Sequence, residues 1–175
     1  MSSVQFVLLA LAAVLLFWAV GAHNRLMRLR NAIARHFAPL AQQLALRHAT
    51  LQDQIDSLAP AWPEHADTLA ALKAASAQAQ AAGAHARARP GAAGAIRSLR
   101  LAESILLDTQ KRLPSEGEGA AALAGLNGPL STLEPALQFA QSQFNSAVME
   151  YNLAVQQFPT SLLAGLFGFR VAGVL

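Results

Sequence analysis

The chain contains no cysteine, which excludes a disulfide framework, a thiol nucleophile and a thiolate metal site. Aromatic residues are scarce at 6%, and the β-branched and aromatic runs that strands require are missing. None of the five histidines, His23, His36, His48, His65 and His85, has another four residues away with an acidic partner between them. His36 and His48 share one expected helix but stand ~18 Å apart along it, too far for a common metal ion. They read as solvated or interfacial side chains. There is no nucleophile elbow, and the glycines form neither a phosphate loop nor a dinucleotide fingerprint. Glu64 and Asp67 read as residues of a helix N-terminus, not as an acid–base pair. No catalytic, cofactor-binding or metal-binding residue emerges.

What the chain does have is alanine, the strongest helix former, and it inflates a hydrophobic content of 54%. The expected fold class is all-α: an N-terminal transmembrane helix continuing into an antiparallel bundle of about four long helices. Three regions follow: an anchor over residues 1–23, a bundle domain over 24–161 and an apolar tail over 162–175.

Val4 to Ala22 carries no charge and, at ~1.5 Å per residue, matches the ~30 Å hydrocarbon core of a bilayer. Trp18 suits its interfacial end. A cleaved signal peptide is the competing reading, with Val20-Gly21-Ala22 offering small residues near a cut. No basic residue precedes the apolar run, however, and the run is longer than the usual ~7–15 residues. Arg25, Arg28, Arg30 and Arg35 follow the span, and no acidic residue occurs before Asp53. Basic residues there favour the cytoplasmic side, so the expected topology is a single-pass protein of a bacterial inner membrane with its N-terminus outside and its domain cytoplasmic. A periplasmic domain is the alternative. The same arginines could hold anionic headgroups. A pI near 10.2 invites a nucleic-acid reading, but the net charge is only +3 and its basic cluster borders the membrane, so no nucleic-acid partner is expected.

Leu26, Leu29, Ile33, Phe37, Leu40, Leu44, Leu51, Ile55 and Leu58 recur at threes and fours, with a gap across Arg47-His48, and predict a first helix continuous with the span to about Ala59. Pro39 lies inside it. Pro60-Ala61-Trp62-Pro63 ends it, with Trp62 read as a cap over the bundle end. A second helix starts near Glu64 with a weak stripe of Leu69, Leu72, Ala75, Ala79 and Ala82. A third, Ala95 to Leu113, carries Ile96, Leu99, Ala102 and Leu106. After a turn from Pro114 to Gly119, a short helical piece leads to a break at Asn127-Gly128-Pro129.

The stretch Leu126 to Phe169 organises the rest. Leu130, Leu137, Phe144, Tyr151 and Phe158 fall seven apart, with Leu133, Ala140, Ala147, Val148, Ala154 and Val155 between them. This is an a/d stripe of about four heptads on one long helix, stopped at Phe158-Pro159. Tyr151 and Phe158 are expected core anchors. Asn145 and Asn152, also seven apart, are expected to hydrogen-bond across the bundle or to backbone, with a recognition strip for a partner as the alternative. The tail after Pro159 either lies on the membrane with Arg170 reaching towards phosphate, or folds back so that Phe167 and Phe169 plug the membrane-proximal end.

Phe144-Asn145, Ala147-Val148, Tyr151-Asn152, Val155, Phe158-Pro159, Ala164 and Phe167-Gly168-Phe169 together resemble the C-terminal signature of the LemA family. Asn24-Arg25-Leu26, Leu29-Arg30-Asn31 and Gln43-Leu44 resemble its N-terminal patterns, while residues 49 to 120 match it poorly. Ala49, Gln52 and Asp53 stand where the family tends to carry Asp, Pro and Asn. The resemblance implies a membrane-anchored helical bundle with no defined enzymatic activity. It marks Asn145, Tyr151, Asn152, Phe158, Pro159, Phe167, Gly168 and Phe169 as motif and interaction candidates.

The expected function is a non-enzymatic, membrane-tethered scaffold or adaptor without cofactors, whose partners are the lipid bilayer and one or more proteins. A membrane-surface hydrolase or lipid-acting enzyme is the rival, and His48, Glu103 or Glu134 facing one another inside the bundle would favour it. A coiled-coil homo-oligomer is a third reading, favoured by an apolar helix face left exposed.

Overall fold

The computed structural model describes residues 3–113 and 118–175, apart from the side chains at 61 and 118–126. It is helical, with no strand among the described residues. The helices are α1 (Ser3–Leu58), α2 (Ala66–Ala88), α3 (Ala93–Gln110), α4 (Glu118–Gln156) and the short α5 (Thr160–Leu166).

α1 runs without interruption from the apolar segment into the bundle and through Pro39. Its apolar N-terminal part has a mean hydropathy of 2.4 and is entirely unburied by the rest of the chain, which suits a single-pass membrane anchor. Burial begins at Leu26 and continues through Leu29, Ile33, Phe37, Leu40, Leu44, Leu51 and Ile55, the spacing that puts one face of a helix against a neighbour. α1 packs chiefly along α4, and α2 along α3; α1 also touches α2. On α4 the buried face is Leu130, Leu137, Ala140, Phe144, Ala147, Val148, Tyr151, Ala154 and Val155. Phe37 and Phe144 meet edge to face at 5.3 Å where α1 and α4 cross the core.

The core has two halves. The membrane-proximal half gathers Leu26 to Leu44 of α1, Ile96 and Leu99 of α3, Leu137 to Val155 of α4, and Phe169 and Ala172 of the tail. The distal half gathers Leu51, Ile55, Trp62, Leu69, Leu72, Ala102, Leu106 and Leu113. Trp62 is buried there, in the turn between α1 and α2, and closes the end of the bundle.

Three expectations are corrected. Asn127-Gly128-Pro129 does not break the chain, because α4 is continuous from Glu118 to Gln156. Prolines 129 and 135 are carried inside it, and Leu130 is held in the distal core, so tertiary packing overrides the local signal. The second helix begins at Ala66, since Pro63–His65 form a 3₁₀ turn that takes up Glu64. Phe158 is no core anchor: it is 76% exposed. α4 ends at Gln156, so by residue 158 the chain has left the helical register on which the heptad projection rests. The segment after Pro159, for which no secondary structure was expected, begins with a helix, α5, which buries Thr160 and Ala164 and exposes Leu162 and Leu166. The expected turn from Pro114 lies largely outside the described residues.

Candidate functional site: a backbone-reading ladder and a charged waist

Beyond α5 the chain turns at Gly168, whose φ of 71° is a left-handed conformation open to glycine at little cost. Residues 169–175 then run back, non-helical, along the bundle. They do so on two asparagines. Asn152 Nδ2 donates to the Ala172 carbonyl at 3.0 Å, and the Ala172 N–H donates to Asn152 Oδ1 at 2.7 Å. Asn145 repeats the pair with Leu175, at 2.8 and 2.9 Å. Gln141 Nε2 adds a bond to the Leu175 carbonyl, and Tyr151 Oη donates to the Arg170 carbonyl at 3.0 Å.

The spacing explains why it works. Seven residues of helix advance ~10.5 Å, and three residues of extended chain advance ~10 Å. Asparagines seven apart on α4 therefore meet tail residues three apart. The cis N–H and the C=O of a side-chain amide point the same way, as the N–H and C=O of one residue in an extended strand do, so each asparagine supplies one rung of strand-like pairing. Gly173 lies between the rungs and touches α3, where an added Cβ would come 3.0 Å from Ala93 Cα and 3.2 Å from the Ala93 carbonyl oxygen. The tail thus lies between α4 and the start of α3, two helices that otherwise have little mutual packing.

Burial raises the Tyr151 phenol above its ordinary 10.0, and the nearby positive charge of Arg30 opposes that shift. At the membrane end, the His23 ring meets Phe167 at 5.0 Å and Phe169 at 5.6 Å, both edge to face. His23 directly follows the apolar span, so α5 and Phe167 lie level with its end. Phe169 is buried and plugs the bundle, whereas Phe167 is half exposed. Arg25, Arg28, Arg30 and Arg35 are all exposed, and Pro159 is exposed beside Phe158.

The second constellation fills the gap in the α1 stripe. Arg47 and His48 are buried there, between the two core halves, against Glu103 of α3. Glu103 Oε2 accepts from Arg47 Nη1 at 3.0 Å, and Oε1 lies 2.7 Å from His48 Nε2. Arg47 Nη2 also reaches Gln110 Oε1 at 3.4 Å. His48 is therefore not the solvated or interfacial residue expected of it: its ring is only 2% exposed, because α3 supplies a carboxylate directly opposite. Glu134, the third member of the anticipated pocket, is exposed and bonds Gln138. It does line a cavity of about 260 Å³ together with Glu103, Arg47 and Arg100. No group of three or more His, Asp or Glu suited to a metal ion occurs among the described residues.

Sequence reasoning paired the two asparagines correctly but not with the tail, and it noted Glu103 without pairing it to Arg47. The family model described as the LemA family matches residues 37–174, which includes the charged waist, both asparagines of the ladder and all of the tail but Leu175. No curated protein and no solved structure gives a match.

Proposed function

The chain belongs to the LemA family, and on that premise we propose a non-enzymatic, membrane-anchored helical scaffold that docks a protein partner along the outer face of α4. The observation that carries this reading is an apolar strip left uncovered on the longest bundle helix. Phe139, Met149 and Leu153 are 66%, 54% and 68% exposed and fall within one narrow arc of the helix, separated by the small residues Ser142 and Ser146. An apolar strip with small polar interruptions fits an amphipathic helix of a partner.

The polar interior supports a non-catalytic role. Both oxygens of Glu103 are engaged by Arg47 and His48, and the asparagine amides are engaged by the tail, so these groups are committed to holding the fold. The enzyme reading keeps one observation in its favour, the cavity shared by Glu103, Glu134, Arg47 and Arg100. For topology, the exposed arginines directly after the span support a cytoplasmic domain in a bacterial inner membrane.

A photo-crosslinking residue at Phe139 or Leu153 of the full chain in intact cells should give one discrete product heavier than the chain. A product of twice the chain mass would mean a homo-oligomer instead. No product at either position, with crosslinking retained elsewhere on the surface, would remove the docking face. Because the chain lacks cysteine, S3C and S98C, the latter exposed on α3 away from the strip, also read topology. The proposed orientation requires an impermeant thiol reagent to label S3C and spare S98C in intact cells.

A further inference from the structure

A cavity of about 430 Å³ opens where α1, the α2–α3 turn and the Gly168 turn converge. Its charged lining consists of Arg30 of α1, Arg89 of the turn and Arg170 of the tail, and no carboxylate lines it. None of the three forms an ion pair with a carboxylate among the described residues. The contrast lies within the same chain, since Arg47, the arginine built into the core, is given Glu103. Three segments distant in sequence bring three arginines to the lining of one concavity that no carboxylate lines, so their positive charges add there. Ala92, at the start of α3, also lines the cavity, and no side chain caps that helix N-terminus. Its unpaired N–H groups add partial positive charge on the same side. Tyr151 also lines the cavity, and its hydroxyl donates to the Arg170 carbonyl.

We propose that this cavity binds a phosphate group, held by Arg30, Arg89 and Arg170. Guanidinium forks match the oxygens of phosphate, and charge-assisted bonds of this kind are the strong ones. Arg30 follows Ala22 by eight residues of continuous helix, ~12 Å beyond the apolar span, and headgroups extend ~5–8 Å beyond the hydrocarbon on each side. The Arg30 backbone therefore stands ~4–7 Å outside the headgroup layer, a gap that a long arginine side chain can reach across towards the phosphate of an anionic lipid, and the site is also open to a soluble phosphate ester. The inference goes beyond the scaffold reading and does not depend on it, because the cavity lies away from the α4 strip.

The test uses the full chain in lipid nanodiscs, read by hydrogen exchange at the backbone amides of 89–95 and 168–171. One arm compares discs of phosphatidylcholine with discs containing phosphatidylglycerol. The other titrates inorganic phosphate and inositol hexakisphosphate into phosphatidylcholine discs. Binding should slow exchange at those amides and weaken as salt rises. Each of R30Q, R89Q and R170Q should reduce apparent affinity about tenfold, while R25Q/R28Q/R35Q, which removes the neighbouring surface arginines, should leave it within about twofold. Protection with phosphatidylglycerol alone assigns a lipid headgroup. Protection with the soluble phosphates alone assigns a soluble ester. Protection in neither arm overturns the proposal. So does protection that survives R30Q/R89Q/R170Q in a variant whose far-ultraviolet circular dichroism is unchanged, or that falls equally with R25Q/R28Q/R35Q.

Discussion

Removing one rung of the ladder tests whether the tail is held as a unit. In N152A, the N–H and carbonyl of Ala172 lose both partners, on a residue only 7% exposed. Leaving a buried donor or acceptor unmade costs about 1–3 kcal/mol each. Water can reach the loosened tail, so the low end applies to both groups and the sum is about 2 kcal/mol. At ~1.4 kcal/mol per tenfold, that is a roughly 30-fold shift towards the undocked tail. The informative readout is not Ala172, whose amide loses its own acceptor, but Leu175, whose amide is still bonded to Asn145. Hydrogen exchange at Leu175 should accelerate by about the same 30-fold if the rungs open together. G173A should produce the same acceleration without touching either asparagine, because its methyl group would meet the Ala93 backbone at 3.0 Å. If Leu175 exchange is unchanged in N152A while Ala172 exchange rises, the rungs are independent and the ladder is a pair of local contacts.

Tyr151→Ala should cost about 3–5 kcal/mol of stability, as for a buried aromatic, whereas Phe158→Ala should stay within about 0.5 kcal/mol in a denaturant titration. Tyr151 also makes tail docking sensitive to alkali. Its pKa is raised on folding, so its contribution is complete below the unfolded value near 10 and is lost as pH rises through the folded value, when the phenolate can no longer donate to Arg170. Tail protection measured from pH 8 upward should show that loss in the parent protein and not in Y151F. Glu103→Ala should destabilise by about 3–5 kcal/mol, because it strands Arg47 and His48 in the core, whereas R47M/H48L/E103L should be near neutral or stabilising by thermal melting. Equal losses in the two variants would mean that the charges themselves hold the waist together.

The legible parts of the fold were those with a period. α1 and α4 display their buried faces at threes, fours and sevens, and those faces lie against each other as the spacing requires. The gap at Arg47-His48 was visible as a gap, but its partner Glu103 is 55 residues from His48 and carries no local mark of the pairing. Asn145 and Asn152 were visible as a pair one heptad apart. Their partners were not, because a single extended segment docked on side chains has no alternation of its own to read. Phe158 shows the opposite failure, a period extended past the point where the helix that justified it had ended. The continuous α4 overrode Asn-Gly-Pro, a strong local breaker, because Leu130 beyond it is fixed in the distal core.

These pieces make the C-terminal segment the tie between the two helix pairs. α1 with α4 and α2 with α3 are the extensive contacts, and α2 buries only two leucines, Leu69 and Leu72, beside three alanines and a serine, with few methylenes to bury. Two such helix pairs could slide or splay if only the α1–α2 contact joined them. Two features prevent it, one in each dimension. The Arg47–Glu103–His48 cluster fixes the axial register of α3 against α1, since a charged group displaced by one turn, ~5.4 Å, would be buried without its partner. The tail fixes the lateral spacing of α3 and α4, bonded to Asn145 and Asn152 on one side and touching Ala93 through Gly173 on the other. Its path starts at Phe167 and Phe169, against His23 at the end of the span, so the element that joins the two helix pairs is also the one that meets the anchor. A motif of asparagines, aromatics and one left-handed glycine is therefore what this geometry demands: amides to read an extended backbone, rings to seat it at the membrane end, and a glycine to turn it back.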